Sequence, residues 1–331
     1  MSVSPPDAGR VAVLVPCLDE EAAVASVVQG MRAALPDATV YVYDNGSTDG
    51  TIERALAAGA VVRREPLRGK GNVVRRMFAD VDADIYVLVD GDGTYDASAA
   101  PALVKRLLDD QLDVVNAVRV TDQANAYRSG HRLGNTLISG AVANVFGKRC
   151  RDILSGYRVF SRRFVKSFPA LASGFEIETE LTVHALALRM PIADVDTRYE
   201  ERPAGSESKL RTYRDGFRIL GTILKLAKEE RPFAFFSLIA VLLLAIAVGL
   251  AVPIFQEYAR TGLVPRFPTA ILSTGITILA FLSLASGFVL DSVTRGRHEM
   301  KRLHYLREAA PTAARIAGKR LEAGGEFRLS P

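Results

Sequence analysis

The stretch Ile85-Tyr86-Val87-Leu88-Val89-Asp90-Gly91-Asp92 is a strongly apolar run that ends in two carboxylates. The apolar run predicts a buried β-strand, and ligands in open α/β folds bind beyond the carboxyl ends of the strands. Two carboxylates separated by one glycine can face a single Mg²⁺ or Mn²⁺ ion, because these cations prefer oxygen ligands and commonly join carboxylates to substrate phosphates. The stretch therefore predicts a metal-dependent enzyme that acts on a diphosphate. A simple Asp-Gly turn after a strand is the alternative.

Short apolar runs alternate with amphipathic stretches from Val11 to about Tyr199. This alternation predicts an α/β fold with a Rossmann-like, mostly parallel sheet and helices on both faces. The predicted strands are Val11–Val15, Val40–Tyr43, Val61–Val62, Ile85–Val89 and Val114–Val118. The predicted helices are Glu21–Ala34, Thr51–Ala58, Asn72–Val81, Ala99–Leu108, Leu133–Phe146 and Ile177–Leu188.

Composition narrows the class of protein. The chain has 331 residues and a net charge of +5, and its basic residues cluster beside apolar spans near the C-terminus. This placement favours a membrane surface and phosphate ligands over nucleic acid. The two cysteines, Cys17 and Cys150, indicate neither a disulfide framework nor a zinc site. Residues 1–10 lack the apolar core of a signal peptide, so we expect the leading domain to stay in the cytosol.

The C-terminal part predicts attachment to a membrane. Residues 211–231 place an apolar stripe beside a basic face, which is typical of a helix lying in a membrane interface, although an ordinary surface helix has the same pattern. Residues 233–255 and 269–290 carry no charge, and each run is long enough to cross a bilayer. The predicted domains are a cytosolic catalytic domain over 1–210, the amphipathic helix over 211–231, two transmembrane helices within 232–291 and a basic tail over 292–331.

Charge on either side of the two spans predicts their orientation. Lys228 and Arg231 precede the first span, and Arg295 and Arg297 follow the second, whereas the link between the spans has few basic residues. The positive-inside rule then places both outer flanks in the cytoplasm. We expect a multi-pass protein of the cytoplasmic membrane with its catalytic domain and both termini in the cytosol.

Two further strand ends carry polar residues suited to a nucleotide. The segment Pro16-Cys17-Leu18-Asp19-Glu20-Glu21 and the segment Asp44-Asn45-Gly46-Ser47-Thr48-Asp49 offer groups for a base or a ribose. The alternative for the first segment is a helix N-terminal turn, where acidic residues are favourable, and the alternative for Ser47, Thr48 or Asp49 is a simple helix cap. Lys70, in a glycine-rich turn into a helix, can meet the donor. The chain has no Gly-x-Gly-x-x-Gly after its first strand and no Walker A sequence, which argues against a dehydrogenase-type dinucleotide site and a P-loop.

These blocks resemble the family 2 glycosyltransferases of the GT-A fold, in the polyprenyl-phosphate branch that includes dolichyl-phosphate-mannose synthases. The resemblance covers about residues 11–215, and the two spans fit membrane-attached members. It departs at Asn45, where many relatives have a second acidic residue, and at Thr94, where a Gln is common beside the metal aspartates. The matching pieces are Val15-Pro16-x-x-Asp19-Glu20-Glu21, Asp44 to Thr51, Asp90-Gly91-Asp92, Ser155 to Phe160, and Arg202-Pro203-x-Gly205-Ser206-x-Ser208-Lys209.

The resemblance implies transfer of one sugar from a nucleotide-diphosphate sugar to a polyprenyl phosphate of the undecaprenyl, decaprenyl or dolichyl type, in the synthesis of cell-envelope glycans. A UDP-hexose or UDP-N-acetylhexosamine is favoured, with GDP-mannose next, and the configuration of the sugar inverts. Asp90 and Asp92 are expected to hold Mg²⁺ or Mn²⁺. The expected donor-binding residues are Pro16, Leu18, Glu20, Asp44, Asn45, Lys70, Asp90, Gly91 and Asp92.

A lipid phosphate is largely dianionic at neutral pH, so it needs a cationic cradle more than a general base. Arg119, Arg132 and Arg202 are expected to act in catalysis together with the two metal aspartates. For each arginine, a solvated surface charge is the alternative. Glu176 and Glu178 can contact sugar hydroxyls, although pairing with a helix dipole is the simpler account. The expected acceptor-phosphate residues are Arg119, Arg128, Arg132, Arg158, Arg202, Ser208 and Lys209.

Two other functions compete with this one. A processive polysaccharide synthase shares the fold, but that branch uses a Gln-x-x-Arg-Trp motif and the chain contains 0 Trp. A non-catalytic membrane scaffold or a sensor of nucleotide sugars is the other alternative, which turnover would distinguish. Association of copies through the membrane helices is implied only by the resemblance.

Overall fold

The computed structural model describes residues 11–120, 151–200 and 228–311, together with Gly140 and Gly221. The chain forms two compact units. The first unit comprises Met1–Gly216 and Lys301–Pro331, and the second comprises Phe217–Met300.

A seven-stranded sheet forms the centre of the first unit. Its spatial order is β3-β2-β1-β4-β6-β5-β7. Strands β1 to β4 run parallel, β5 and β7 are parallel to each other, and β6 is antiparallel to both of its neighbours. The strands are β1 (Val11–Cys17), β2 (Thr39–Asp44), β3 (Val61–Arg64), β4 (Ile85–Leu88), β5 (Val114–Val120), β6 (Arg158–Ser161) and β7 (Ile192–Arg198).

Helices cover both faces of this sheet. They are α1 (Val24–Ala34), α2 (Thr51–Ala57), α3 (Lys70–Asp80), α4 (Ala100–Asp109), α5 (Arg162–Ser167) and α6 (Ile177–Ala187), with a 3-10 turn at Ala97–Ala99. Because successive side chains of a strand point to opposite faces, Val13 and Val15 of β1 belong to the core under α1, α2 and α4. Ala12 and Leu14 belong to the core under α3, α5 and α6.

The order in which the chain adds strands reverses at β1, and this reversal determines where a ligand site can form. The chain passes from β1 outward to β2 and β3, and then crosses to β4 on the other side of β1. Cys17 pairs with Asp44, and Leu14 pairs with Leu88, so the carboxyl ends of β1, β2 and β4 lie along one edge. Such a switch point is where ligands bind in open α/β sheets.

The predicted α/β fold is confirmed, and all five predicted strands are present; four are longer than predicted, and β4 ends one residue earlier, at Leu88. Three elements were not predicted: β6, α5 and β7. Strand β6 has only four residues and lies antiparallel between β4 and β5, so its place depends on tertiary pairing rather than on its own pattern. The predicted helix Leu133–Phe146 lies outside the described residues except for Gly140, which is helical.

The second unit is a pair of long apolar helices. Helix α7 covers Pro232–Thr261 and helix α8 covers Phe267–Arg307, and both are long and apolar enough to cross a membrane. The predicted spans 233–255 and 269–290 lie inside them. Most of the predicted amphipathic helix over 211–231 lies outside the described residues.

Small residues line the contact between these two helices. Ala240 and Ala247 of α7 are buried seven residues apart, as are Ala280 and Gly287 of α8. A period of seven is the signature of left-handed helix packing. The Ser273 hydroxyl donates to the Ala247 carbonyl at 2.9 Å, which fixes the register of the pair.

The end of α8, from Lys301 onward, belongs to the first unit. The Tyr305 hydroxyl donates to Asp113 Oδ2 at 2.9 Å. The buried Asp113 carboxylate also accepts from Ser161 and Arg163, and the Arg163 guanidinium lies 4.8 Å from the centre of the Tyr305 ring. The segment around Tyr305 is therefore bonded to the sheet beside the first residue of β5.

Candidate active site

Asp90 and Asp92 lie directly beyond the carboxyl end of β4. The Asp92 side chain is buried, and its Oδ1 accepts from the Thr94 amide at 3.2 Å and from the Thr94 hydroxyl at 2.6 Å. Thr94 thus fixes the orientation of this carboxylate. Asp90 is more open, with 26% of its side chain exposed.

Two glycines allow this close arrangement. A Cβ on Gly91 would lie 2.4 Å from Cys17 Sγ, and a Cβ on Gly156 would lie 2.1 Å from Asp90 Oδ2. Any larger residue would push the carboxylates away from the strand ends. The backbone of Gly156 therefore closes the Oδ2 side of Asp90.

Lys70, at the start of α3, joins two carboxylates from distant parts of the chain. Its Nζ lies 2.5 Å from Asp90 Oδ1 and 2.6 Å from Glu178 Oε1. Burial alone would lower the pKa of Lys70, but the charges of Asp90 and Glu178 outweigh burial and hold this pKa above its usual value. The ammonium is therefore charged at neutral pH.

Glu178 lies in the first turn of α6, which is the position that pairing with the helix dipole requires. Its Oε1, however, forms an ion pair with Lys70. Its Oε2 is buried and has no hydrogen-bond partner among the described residues. Sequence reasoning did not pair Glu178 with Lys70, because 108 positions separate them.

The predicted donor-binding residues of β1 and β2 lie at the same edge. Pro16 and Leu18 are half-buried, and Glu20 is buried. The Asp44 carboxylate accepts from the Gly46 amide at 3.0 Å and from the Ser47 amide at 3.1 Å, so it closes its own turn.

Asn45 connects this edge to the loop that carries Lys70. Its Nδ2 donates to the carbonyls of Glu65 at 2.9 Å and Leu67 at 2.8 Å, and its Oδ1 accepts from the Gly69 amide at 2.7 Å. An aspartate cannot donate to those carbonyls. These hydrogen bonds explain why residue 45 is an asparagine rather than an acidic residue.

The arginines differ in placement. Arg119 makes a two-pronged ion pair with the buried Asp152, at 2.7 and 2.8 Å, and its Cζ lies 5.5 Å from the centre of the Tyr199 ring. Arg158 is 1% exposed and donates to the Ser155 and Ile153 carbonyls and to the Thr182 hydroxyl. A lipid phosphate cannot reach a guanidinium buried in this way, so the placement of Arg158 disagrees with its predicted role. The remaining predicted acceptor residues lie outside the described residues: Arg128, Arg132, Arg202, Ser208 and Lys209.

Tyr95 is a site residue that sequence reasoning missed. Its hydroxyl accepts from the Gly156 amide at 2.8 Å, and its ring makes edge contacts with Tyr157 and Tyr199. Burial raises the pKa of the Tyr95 phenol, which keeps it neutral. Its position three residues after Asp92 was the one available signal.

The residues present fit a Mg²⁺ or Mn²⁺ ion that is shared with a substrate. Across residues 11–120, 151–200 and 228–311 there is no group of three or more His, Cys, Asp or Glu side chains that could hold a metal by themselves. Mg²⁺ characteristically uses one or two carboxylates and completes its shell with substrate phosphates and water. Asp90 and Asp92 supply that number of carboxylates.

Comparison with known proteins agrees with this geometry. The sequence profile described as Glycosyl transferase family 2 matches residues 12–168. Glycosyltransferase AglJ of Haloferax volcanii is 33% identical over 303 residues, which cover 91% of this chain and 99% of AglJ. A dolichyl-phosphate hexose transferase of the same organism is 28% identical over 221 residues, which cover 66% of this chain and 95% of that protein.

A solved structure shares the architecture of about two thirds of this chain. It is glucosyl-3-phosphoglycerate synthase from Mycobacterium tuberculosis in complex with Mn²⁺, UDP-glucose and glycerol 3-phosphate. The TM-score is 0.54 at 26% sequence identity, and the match covers 66% of this chain and 79% of that chain.

Proposed function

Because this chain belongs to glycosyl transferase family 2, we propose that it transfers one sugar from a nucleotide-diphosphate sugar to the phosphate of a polyprenyl lipid. The observation that carries the proposal is the Asp90–Asp92 pair at the switch-point edge of a chain that also has two apolar helices of membrane-spanning length. The dolichyl-phosphate hexose transferase among the relatives supports a lipid phosphate as the acceptor.

Asp90 and Asp92 would hold a Mg²⁺ or Mn²⁺ ion against the donor diphosphate. When bound, this ion supplies Lewis-acid stabilisation of the charge that develops on the departing nucleoside diphosphate. Thr94 orients Asp92 for this contact, and Asn45 positions the loop that presents Lys70. These residues provide orientation and charge, which account for most of the catalysis in transfers of this kind.

The acceptor phosphate would attack the anomeric carbon directly and invert its configuration. A phosphate dianion is nucleophilic without a general base, because its second pKa of about 6 leaves it ionised at neutral pH. Arg119, Arg132 and Arg202 are proposed to hold it. Arg119 would do so while paired with Asp152, which fixes its guanidinium plane.

The proposed donor is a UDP-hexose or a UDP-N-acetylhexosamine, with GDP-mannose as the next candidate. The UDP-glucose bound to the mycobacterial synthase supports a uridine nucleotide. The proposed location is the cytoplasmic membrane, with the catalytic unit on the cytosolic side, which the two apolar helices and their basic flanks support.

A glycolipid assay tests this function. The full-length protein in detergent is mixed with polyprenyl phosphate, Mn²⁺ and a panel of UDP- and GDP-sugars. We expect a lipid-linked phosphosugar from one donor, and we expect its loss with EDTA or with Asp92→Asn. The matched control is Asp110→Asn, which removes an exposed carboxylate from the end of α4.

Two results would contradict the proposal. Nucleotide binding without glycolipid from any donor would favour the scaffold or sensor. Product that survives both EDTA and Asp92→Asn would exclude the metal role of this aspartate.

A further inference from the structure

The contact between Lys70 and Asp90 poses a problem for metal binding. The ammonium lies 2.5 Å from Asp90 Oδ1, and the Lys70 side chain is only 11% exposed. A Mg²⁺ ion ligated by the same oxygen would lie about 2.0–2.1 Å from it. The two cations would then be close neighbours in a partly desolvated site, where like charges repel strongly.

Asp90 has little freedom to avoid this competition. A Cβ added at Gly156 would lie 2.1 Å from Oδ2, so the chain at position 156 passes close to this oxygen. Rotation of the carboxylate is therefore restricted, and Oδ1 is the oxygen that the ammonium already holds.

Glu178 gives Lys70 a second, separate partner. Its Oε1 lies 2.6 Å from Nζ, its side chain is 8% exposed, and its Oε2 is buried with no hydrogen-bond partner among the described residues. Lys70 can therefore leave Asp90 and remain paired with Glu178. A buried lysine that lost all of its counterions would be far more costly to move.

We propose that Lys70 is an exchangeable counterion, which occupies Asp90 in the nucleotide-free protein and passes to the donor diphosphate when a divalent cation takes its place. Glu178 keeps the ammonium in the site during the exchange. This inference rests on the proposed function, since it takes Asp90 as a metal-binding residue. The consequence is that cation and nucleotide bind cooperatively. The cation displaces Lys70 from Asp90 and so frees the ammonium for the diphosphate, and the diphosphate draws Lys70 away and so frees Asp90 for the cation.

The test measures the affinity of the full-length protein for Mn²⁺ alone, by electron paramagnetic resonance of the free ion. We expect Lys70→Met to bind Mn²⁺ at least 10-fold more tightly than the wild type in the absence of nucleotide. UDP and GDP should then increase the Mn²⁺ affinity of this variant less than that of the wild type. A lysine that only contacts the donor would leave the affinity for Mn²⁺ alone unchanged.

Arg68→Met is the matched control. Arg68 is exposed and lies two residues from Lys70, so this variant removes the same formal charge from the same turn. Its Mn²⁺ affinity should stay within twofold of the wild type. If Arg68→Met raised the affinity for Mn²⁺ as much as Lys70→Met does, the gain would come from the loss of any nearby positive charge, and the proposal would be overturned.

Lys70→Met leaves Glu178 buried without its partner, which can unfold the protein. The double variant Lys70→Met/Glu178→Gln removes that charge, keeps Asp90, and should show the same gain in Mn²⁺ affinity. If nucleotide promotes Mn²⁺ binding to the wild type but neither variant gains affinity for Mn²⁺ alone, the counterion role is wrong and the proposed function stands. If neither the wild type nor the variants bind Mn²⁺ with UDP or GDP, both are wrong.

Discussion

At the scale of single residues, the amide of Asn45 bonds to three backbone groups of the loop that carries Lys70. Asn45→Asp keeps the shape but turns two donor contacts into a carboxylate facing two carbonyls. We expect the free energy of unfolding to fall by about 1–3 kcal/mol, the usual cost of leaving buried groups unpaired. Urea denaturation of the detergent-solubilised protein measures this change.

The control for Asn45→Asp is Gln111→Glu, which makes the same change from amide to carboxylate at an exposed position. It should leave the urea midpoint unchanged. Equal midpoints for Asn45→Asp and the wild type would show that the amide contacts do not stabilise the loop.

A second prediction about a single residue concerns Thr94. Thr94→Val keeps the size of the side chain but removes the hydroxyl that donates to Asp92 at 2.6 Å. A hydrogen bond to a charged group contributes about 1.5–3 kcal/mol, so we expect kcat/KM to fall about 10-fold or more. The measurement is the glycolipid-forming rate over a range of Mn²⁺ concentrations.

Thr197→Val serves as the comparison, because the Thr197 hydroxyl is also buried but donates to the Val118 carbonyl. A loss of activity of the same size in both variants would point to general loosening of the fold rather than to orientation of Asp92.

The residues that could be predicted from the sequence are those whose pattern lies within a short window. Asp90 and Asp92 follow an apolar strand directly, so a short window contained the whole pattern. The Lys70–Glu178 pair and the burial of Arg158 arise from tertiary contacts between distant segments, and no spacing in the sequence encodes them. The sequence marks Thr94 as a departure from the family pattern, but nothing in it predicts the hydrogen bond to Asp92.

At the scale of elements, the contact between α7 and α8 depends on residues without bulk. A Cβ on Gly287 would lie 3.1 Å from Phe236 Cβ and 3.4 Å from Phe233 Cα. Gly287→Leu should therefore force the helices apart and destabilise the pair by about 1–3 kcal/mol, as overpacking generally does. Thermal unfolding of the full-length protein in detergent tests this.

Gly275→Leu is the matched control on the same helix, because nothing lies within 4 Å of the position where its Cβ would be placed. Its unfolding temperature should stay near that of the wild type. A larger loss for Gly275→Leu than for Gly287→Leu would contradict the packing described for this pair.

The elements that could be predicted were those with a strong period of their own. Five strands and the helices between them each fill a window of alternating or helical pattern. Strand β6 contributes only Val159 and Phe160 as apolar residues, one to each core, and is held by pairing with β4 and β5. A strand of that length has no independent signal.

At the scale of the whole molecule, buried phenols make stability sensitive to high pH. Burial raises the pKa of Tyr43 to about 12 and that of Tyr86 to about 12. Both pKa values exceed the ordinary value near 10, so the unfolded chain releases these protons first. The stabilisation is complete below about pH 10 and is lost as the pH rises towards about 12.

We therefore expect the urea midpoint to decline over that pH window, and Tyr86→Phe to make the decline shallower. Tyr258→Phe, at a largely exposed phenol, should leave the slope unchanged. A midpoint that stays constant from pH 10 to pH 12 would contradict the burial of these groups.

Hydropathy alone predicted the two long apolar helices, because an uncharged apolar run of this length is typical of a helix that crosses a bilayer. It did not predict that the chain from Lys301 onward belongs to the first unit. That assignment depends on Tyr305 and Asp113, which lie 192 positions apart.

This contact joins the sheet of the first unit to a segment of the chain that is translated well after it. Chains emerge from the ribosome N-terminus first, at roughly 5–20 residues per second, so Tyr305 follows Asp113 by about 10–40 s. During that interval the Asp113 carboxylate of the nascent sheet would lack the hydrogen bond from the Tyr305 hydroxyl. A truncated gene product that ends before Tyr305 would lack this contact permanently, so the codons around Tyr305 affect the folding of a sheet whose residues are translated earlier.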